Sequence, residues 1–142
     1  MKLNVQLLRE SFEALRPHAD AMVARFYSIL FTRHPEIGKM FGRTNMVEQR
    51  KKFFATLDEL IHHLEEPDKT MAYLLLLGNH HIDYGVRNEQ YPLVCDALVE
   101  AMKQNAGPIW TAEVEQAWRD AYAAVSDIMK KGGALRRPTR PS

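Results

Sequence analysis

Hydrophobic residues recur along most of the chain at the three- and four-residue spacing of amphipathic helices, and the alternation typical of strands is nearly absent. The clearest stripe lies near the carboxyl end, at positions that share one helical face: Val114, Trp118, Ala121, Tyr122, Val125, Ile128 and Met129. A similar stripe follows residue 46, at Phe53, Leu57, Leu60, Ile61 and Leu64. The pattern predicts an all-α fold.

Prolines and glycines divide this pattern into about six or seven helices. The first helix is expected over residues 5–15, before Pro17, and the second over residues 22–32. Pro35 then starts a short helical turn that ends before Gly42, because proline suits the first helical positions and glycine suits a helix end.

In the second half of the chain, a long helix is expected over residues 46–64, and a new helix starts at Pro67. This helix carries the apolar run of residues 71–77 up to His81, and Gly85 is expected to end it. Tyr91-Pro92 opens the next helix, which Gly107-Pro108 breaks.

The last helix is expected to begin after Thr111, which suits an N-cap, and to end at Gly132-Gly133. A regular bundle has helices of similar length joined by short loops. This chain instead mixes long helices with a short proline-initiated turn and a corner. That mixture favours a globin-like arrangement over a regular bundle.

The length of 142 residues is enough for one domain with a substantial core. The net charge of +1 argues against a dedicated nucleic-acid binder. Cys95 is the single cysteine, so no internal disulfide can form, in keeping with a cytoplasmic protein. The amino end lacks a signal-peptide pattern, and the apolar run 71–77 is far shorter than the ~20 residues that span a bilayer.

His81 is the first candidate for chemistry, because it ends a long apolar helical run and forms a pair with His80. A neutral imidazole can bind a haem iron on one side and leave the opposite position free for a ligand. A pair of histidines on a helix surface is the structural alternative.

Several motifs occur in an order and spacing that, taken together, are specific. They are Phe26-Tyr27, Leu30-Phe31, His34-Pro35-Glu36, Met40-Phe41, Gln49, His81-x-x-x-Gly85-Val86, Tyr91-Pro92-Leu93-Val94 and Trp118-x-x-x-Tyr122. Over roughly residues 3–130 they resemble the bacterial single-domain globins, a type that also forms the haem domain of flavohaemoglobins. The chain is accordingly divided into a globin domain, residues 1–131, and a disordered basic tail, residues 132–142.

The resemblance implies a three-on-three helical sandwich around haem b (iron protoporphyrin IX). It also implies reversible binding of O2, NO or CO. His81 matches the proximal iron ligand, and its second ring nitrogen is expected to donate to the Leu77 carbonyl. Phe41 matches the aromatic residue that packs flat on the porphyrin. Leu57 and Leu77 are expected to contact the haem as well.

On the distal side, the resemblance places Tyr27 and Gln49 beside the ligand, with Phe53 as an apolar wall. Phe53 departs from the smaller aliphatic residue that is commoner there, and its bulk is expected either to narrow the pocket or to displace Gln49. Oxygen gains partial negative charge on ferrous iron, so a donor aimed at it forms a strong hydrogen bond. At roughly 1.5–3 kcal/mol, Tyr27 would slow oxygen release ten- to a hundredfold. A core tyrosine and a solvated glutamine are the structural alternatives.

On the proximal side, Tyr91 matches a tyrosine that in flavohaemoglobins joins a glutamate in bonding the ligand histidine. That glutamate is absent, and Gly133 stands at its position. Val86 and Tyr122 are expected to line the proximal pocket. The missing glutamate weakens an enzymatic interpretation, which stays open as nitric oxide dioxygenation or a weak peroxidase side activity. A dioxygenase would need a separate reductase, because no dinucleotide-binding fingerprint is present.

Two other functions compete with oxygen binding. One is a haem-free globin-like module that binds a partner helix or a fatty ligand. The other is a non-haem metal bundle, suggested by Glu59-x-x-His62 but lacking a second copy of that motif. The sequence leaves open whether the protein is a monomer or a homodimer.

Overall fold

The structure of the protein is a computed structural model, which describes residues 4–83 and 87–136. For residues 67, 78–83 and 133–136 it describes only the backbone. The described ranges contain seven α-helices: α1 (Val5–Leu15), α2 (Ala19–Arg33), α3 (Pro35–Met40), α4 (Met46–His62), α5 (Pro67–Asp83), α6 (Tyr91–Ala106) and α7 (Ala112–Arg136). Short 3-10 turns precede α2, α6 and α7. No strand occurs in these ranges, so the prediction of an all-α fold is confirmed.

Most helices begin where the sequence signals predict. Helix α3 starts at Pro35, α5 at Pro67, and α6 at Tyr91 immediately before Pro92. Side-chain caps satisfy free backbone amides at two other starts. The Asn45 side chain accepts hydrogen bonds from the first turn of α4, and the hydroxyl of Thr111 accepts one from the first turn of α7 at 3.1 Å.

The end of the last helix was predicted wrongly. Helix α7 does not stop at Gly132-Gly133 but continues to Arg136. Gly132 is buried against α5, where an ideal Cβ would lie only 2.1 Å from the carbonyl oxygen of Leu75. The glycine therefore permits a close approach of two helices and does not act as a cap. The division at residue 131 stays a prediction, and residues 137–142 lie outside the described part of the chain.

The helices pack in pairs around two hydrophobic clusters. Helix α2 lies on α6, and α5 lies along α7. The larger cluster gathers the buried faces of α1, α2, α6 and the first half of α7. Within it, the Trp118 indole N–H donates to the Ser11 hydroxyl at 2.8 Å and joins α7 to α1. The smaller cluster joins α5 to the second half of α7.

Helices α4 and α5 are held from different sides. Helix α4 packs chiefly on α2, whereas α5 packs chiefly on α7, and the two make few backbone approaches to each other in the described ranges. No helix in those ranges is long and apolar enough to span a bilayer. One side-chain link is Leu60 of α4, which packs against the cluster that contains Leu74 of α5.

Candidate haem site

A hydrogen bond joins the two residues that were predicted to face a distal ligand. Gln49 on α4 donates from Nε2 to the Tyr27 hydroxyl oxygen on α2, at 3.1 Å. Tyr27 is only 5% exposed, and burial raises the pKa of its hydroxyl above the ordinary value. The hydroxyl is thus protonated at neutral pH. Because its oxygen accepts from Gln49, its own proton remains available for another acceptor.

The Tyr27 ring is fixed by a cluster of phenylalanines. Phe41 and Phe53 meet it edge-on, at centroid distances of 5.7 and 5.8 Å. Phe53 also stacks on Phe26 at 4.7 Å, and Phe31 contacts both Tyr27 and Phe41. Such ring pairs favour a few defined geometries, so the direction of the Tyr27 hydroxyl is well determined.

The apolar stripe of α4 is incompletely covered by protein. Phe53, Leu57 and Leu60 are each half-buried, and Ile61 is the one fully buried residue of this helix among those described. The matching stripes of α1 and α2 are buried almost completely. A large apolar group placed against α4 would remove this surface from water, at about 25 cal/mol per Å².

The described residues that were predicted for the proximal side lie on α5, α6 and α7. Leu74 of α5 is buried and Leu77 is half-buried, and both belong to the cluster that contains Tyr91 and Tyr122. The Tyr122 hydroxyl donates to the Tyr91 carbonyl at 2.7 Å. Burial raises the pKa of Tyr122 well above its ordinary value, so this donor keeps its proton.

His81 lies near the carboxyl end of α5, two residues before the last residue of that helix. Its side chain is outside the described part of the structure, and Val86 is outside it altogether. The proximal role of His81 and the contact of Val86 therefore stay predictions.

The described residues fit a haem. A flat, largely apolar macrocycle matches the half-buried stripe of Phe53, Leu57 and Leu60 on α4, of which Leu60 also packs against the cluster that contains Leu74 of α5. A protonated tyrosine and an amide donor suit a polar diatomic ligand on one face. Arg50 lies close enough for its charge to lower the pKa of Tyr27 slightly, against the larger effect of burial, and such a cation suits haem carboxylates.

The two residues of the Glu59-x-x-His62 motif contact different side chains. Glu59 contacts the His63 ring at 3.0 Å, whereas His62 lies 3.5 Å from Asp58. In the described ranges, no group of three or more histidine, cysteine or acidic residues is arranged around a common metal position. These side chains make separate contacts at the surface end of α4.

Sequence reasoning did not single out Phe31 or Arg50 as residues of the distal side. Phe31 follows Tyr27 by one helical turn, which is a usable signal for a shared face. Arg50 stands in a polar run beside Gln49, and nothing in that run distinguishes it from its lysine neighbours.

Comparison with known proteins assigns the family. The globin family model matches residues 24–129 of the chain. The chain belongs to the globin family. Among solved structures, an engineered carbene transferase derived from a candidate nitric oxide dioxygenase of Rhodothermus marinus superposes with a TM-score of 0.82. It is 30% identical, and the match covers 92% of this globin and 91% of that chain.

A bacterial globin from Campylobacter jejuni gives a TM-score of 0.81 at 22% identity, with 92% of this chain and 94% of that one covered, and supports the fold alone. Flavohemoproteins of Oceanobacillus iheyensis and Rhizobium meliloti are 27% and 29% identical over 129 and 125 residues. These matches cover 89% and 87% of this globin but 32% and 31% of the relatives, so the chain spans about a third of their length. Together, family and relatives support a haem-type globin function.

Proposed function

We propose that this globin holds haem b between α4 and α5, with His81 as the proximal iron ligand, and binds oxygen reversibly. The observation that carries this proposal is the hydrogen bond from Gln49 to Tyr27. That bond directs the amide toward the tyrosine oxygen and leaves the tyrosine proton for a ligand. The two side chains thus form an ordered donor pair within an apolar, aromatic setting.

Haem, when bound, supplies a ferrous iron that takes diatomic gases such as O2, NO and CO. The chain supplies the surroundings that discriminate among them. Tyr27 donates a hydrogen bond to the most polarised ligand, and Phe41 and Phe53 exclude water from the donor. A hydrogen bond is stronger where water is excluded, so oxygen benefits more than carbon monoxide.

The proximal residues favour ligand binding over oxygen–oxygen bond cleavage. The hydroxyl of Tyr122 is engaged by the Tyr91 carbonyl at 2.7 Å. The last helix has Gly133 where a carboxylate would strengthen the basicity of the ligand histidine. A neutral His81 imidazole that donates to the Leu77 carbonyl is a weaker electron donor than an imidazole paired with a carboxylate.

Nitric oxide dioxygenation is a second candidate function. It is favoured by the flavohemoprotein relatives and by the R. marinus neighbour, which is described as a candidate nitric oxide dioxygenase. Each turnover would leave ferric haem, so electrons from a reductase would be required. We propose nitric oxide dioxygenation for this globin by analogy with these longer relatives. We also propose a cytoplasmic location and a monomeric or homodimeric state.

Absorption spectra of the purified protein test the proposal. The protein should take up one haemin, show a Soret band, and give a stable oxygenated spectrum after reduction and exposure to air. Removal of oxygen should restore the ferrous spectrum. A protein that stays colourless with haemin present would contradict the proposal and favour a haem-free globin-like module that binds a protein partner or a fatty ligand.

A further inference from the structure

The segment of residues 33–52, here called the basic segment, carries much of the positive charge of the molecule. Its cationic residues are Arg33, Lys39, Arg43, Arg50, Lys51 and Lys52, and its acidic residues are Glu36 and Glu48. These residues give a net charge of +4, and because the whole chain has +1, the remainder has −3. The charge of this globin is therefore strongly asymmetric.

Most cations of the basic segment have no carboxylate partner among the described residues. Elsewhere the described arginines mostly meet carboxylates at 2.6–3.6 Å, in Arg9–Glu65, Arg16–Asp58, Arg87–Glu89 and Arg119–Asp96. Within the basic segment, Lys51 meets Glu48 at 4.0 Å, and the other five cations have no carboxylate within 4.0 Å among the residues that the structure describes. Arg50 acts on Tyr27 within the fold, and the other four cations are left for a partner outside it.

The basic segment borders the distal pocket. It runs from the end of α2 through α3 into the first two turns of α4. It contains Phe41, which contacts the Tyr27 ring, and Gln49, which lies one helical turn before Phe53. Val47 stands within it and is 52% exposed, one of few large apolar side chains left open to water in the described ranges. Arg50 and Lys51 follow Val47 by one helical turn, so this exposed apolar residue lies on the same face of α4 as two cations.

We propose that the basic segment docks the acidic surface of an electron-transfer protein that reduces the haem. This inference rests on the proposed function, which needs iron in the ferrous state. Charge complementarity defines the partner, since unpaired cations attract an acidic surface and orient it at the pocket border. The weak, salt-sensitive contact that results suits a carrier that must dissociate after each electron.

Other polyanions fit the surface less well. The −3 charge of the remaining chain would repel a long nucleic acid that extends past the basic segment. A membrane surface is bound by helices with large exposed apolar faces. In the basic segment, Phe41 packs against Tyr27, and Val47 is the large apolar side chain that is exposed. The described part of this segment therefore lacks a large exposed apolar face.

The test uses haem-loaded protein with an acidic flavodoxin as the probe, and measures binding by calorimetry at about 20 mM and about 300 mM salt. The double variant Arg43→Glu/Lys52→Glu changes two exposed, unpaired cations of the basic segment. The control Lys103→Glu/Lys131→Glu makes the same change of net charge at exposed positions of α6 and α7. The rate at which reduced flavodoxin reduces the ferric haem is measured on the same samples.

At low salt, the basic-segment variant should raise the dissociation constant at least about tenfold and slow reduction by a similar factor. The control should change both by less than about threefold, and high salt should weaken wild-type binding. Equal effects of the two variants, or no effect of either, would overturn the proposal. So would wild-type binding to phosphatidylserine vesicles that is lost in the basic-segment variant while flavodoxin binding persists. Haem uptake and oxygen binding are recorded first, so failure of the proposed function is seen separately.

Discussion

Replacing Tyr27 by phenylalanine removes one oxygen atom from the distal side and leaves the aromatic packing in place. The ring contacts of Tyr27 with Phe41 and Phe53 involve no hydroxyl, so they persist in the variant. The change removes the donor expected to face the ligand and the acceptor of the 3.1 Å bond from Gln49. Any effect on ligand release then reports on hydrogen bonding and not on pocket shape.

The size of the effect follows from the strength of one hydrogen bond to a partly charged acceptor. Such a bond is worth roughly 1.5–3 kcal/mol where water is excluded, which corresponds to about ten- to a hundredfold in a rate. Tyr27 is 5% exposed, so water cannot readily replace its hydroxyl. Oxygen should therefore dissociate from Tyr27→Phe at least several-fold, and up to about a hundredfold, faster than from the wild type.

Stopped-flow mixing of the oxygenated protein with dithionite or carbon monoxide measures this rate. Carbon monoxide dissociation serves as an internal control, because that ligand is less polarised and should respond less. Gln49→Leu should accelerate oxygen release by a smaller factor, since the glutamine acts partly through Tyr27. An oxygen dissociation rate unchanged by Tyr27→Phe would refute the distal assignment.

Three further predictions concern the stability of the fold around the site. Ser11→Ala leaves the buried Trp118 N–H without its 2.8 Å acceptor and should lower the free energy of unfolding by about 1–3 kcal/mol, measured in urea. Gly132→Ala should destabilise the protein by roughly 1–3 kcal/mol because its Cβ would meet the α5 backbone at 2.1 Å, whereas helix propensity alone predicts a gain of about 1 kcal/mol. Hydrogen bonds with Glu66 and a neighbouring glutamate raise the folded-state pKa of His63, so its contribution to stability is present below the unfolded pKa of about 6.5 and is lost as pH rises through the folded value. The urea midpoint of His63→Gln should thus fall below that of the wild type more at about pH 5.5 than at about pH 8.5, and an equal difference at both would remove the histidine from this role.

Much of the fold was accessible from the sequence because its signals are local. Pro35, Pro67 and Pro92 mark helix starts through a fixed backbone angle and a missing amide proton. Gly132 was misinterpreted because glycine serves both as a helix cap and as a point of close helix approach, and only the position of α5 distinguishes the two.

The residues of the candidate site could be predicted from the sequence, but their contacts could be predicted only in part. Tyr27 and Gln49 were paired by motif spacing, and their hydrogen bond is a contact that spacing alone does not specify. Phe31 lies one helical turn after Tyr27 on α2, so its contact with that ring had a local signal. The place of Arg50 beside Tyr27 depends on how α2 meets α4, which is decided by tertiary packing over many residues. The unpaired cations of the basic segment could be counted in the sequence, but their lack of partners is a property of the folded chain.

The most direct test of a haem-binding role for this globin is a haemin titration of His81→Ala beside His80→Ala. The two variants remove neighbouring imidazoles from the same helix, so their effects on helix stability should be similar. His80→Ala should take up one haem and keep the wild-type ferrous and carbonmonoxy spectra, whereas His81→Ala should lose the haem or those spectra. Wild-type spectra in His81→Ala, or their loss in His80→Ala alone, would contradict the assignment of His81 as the iron ligand.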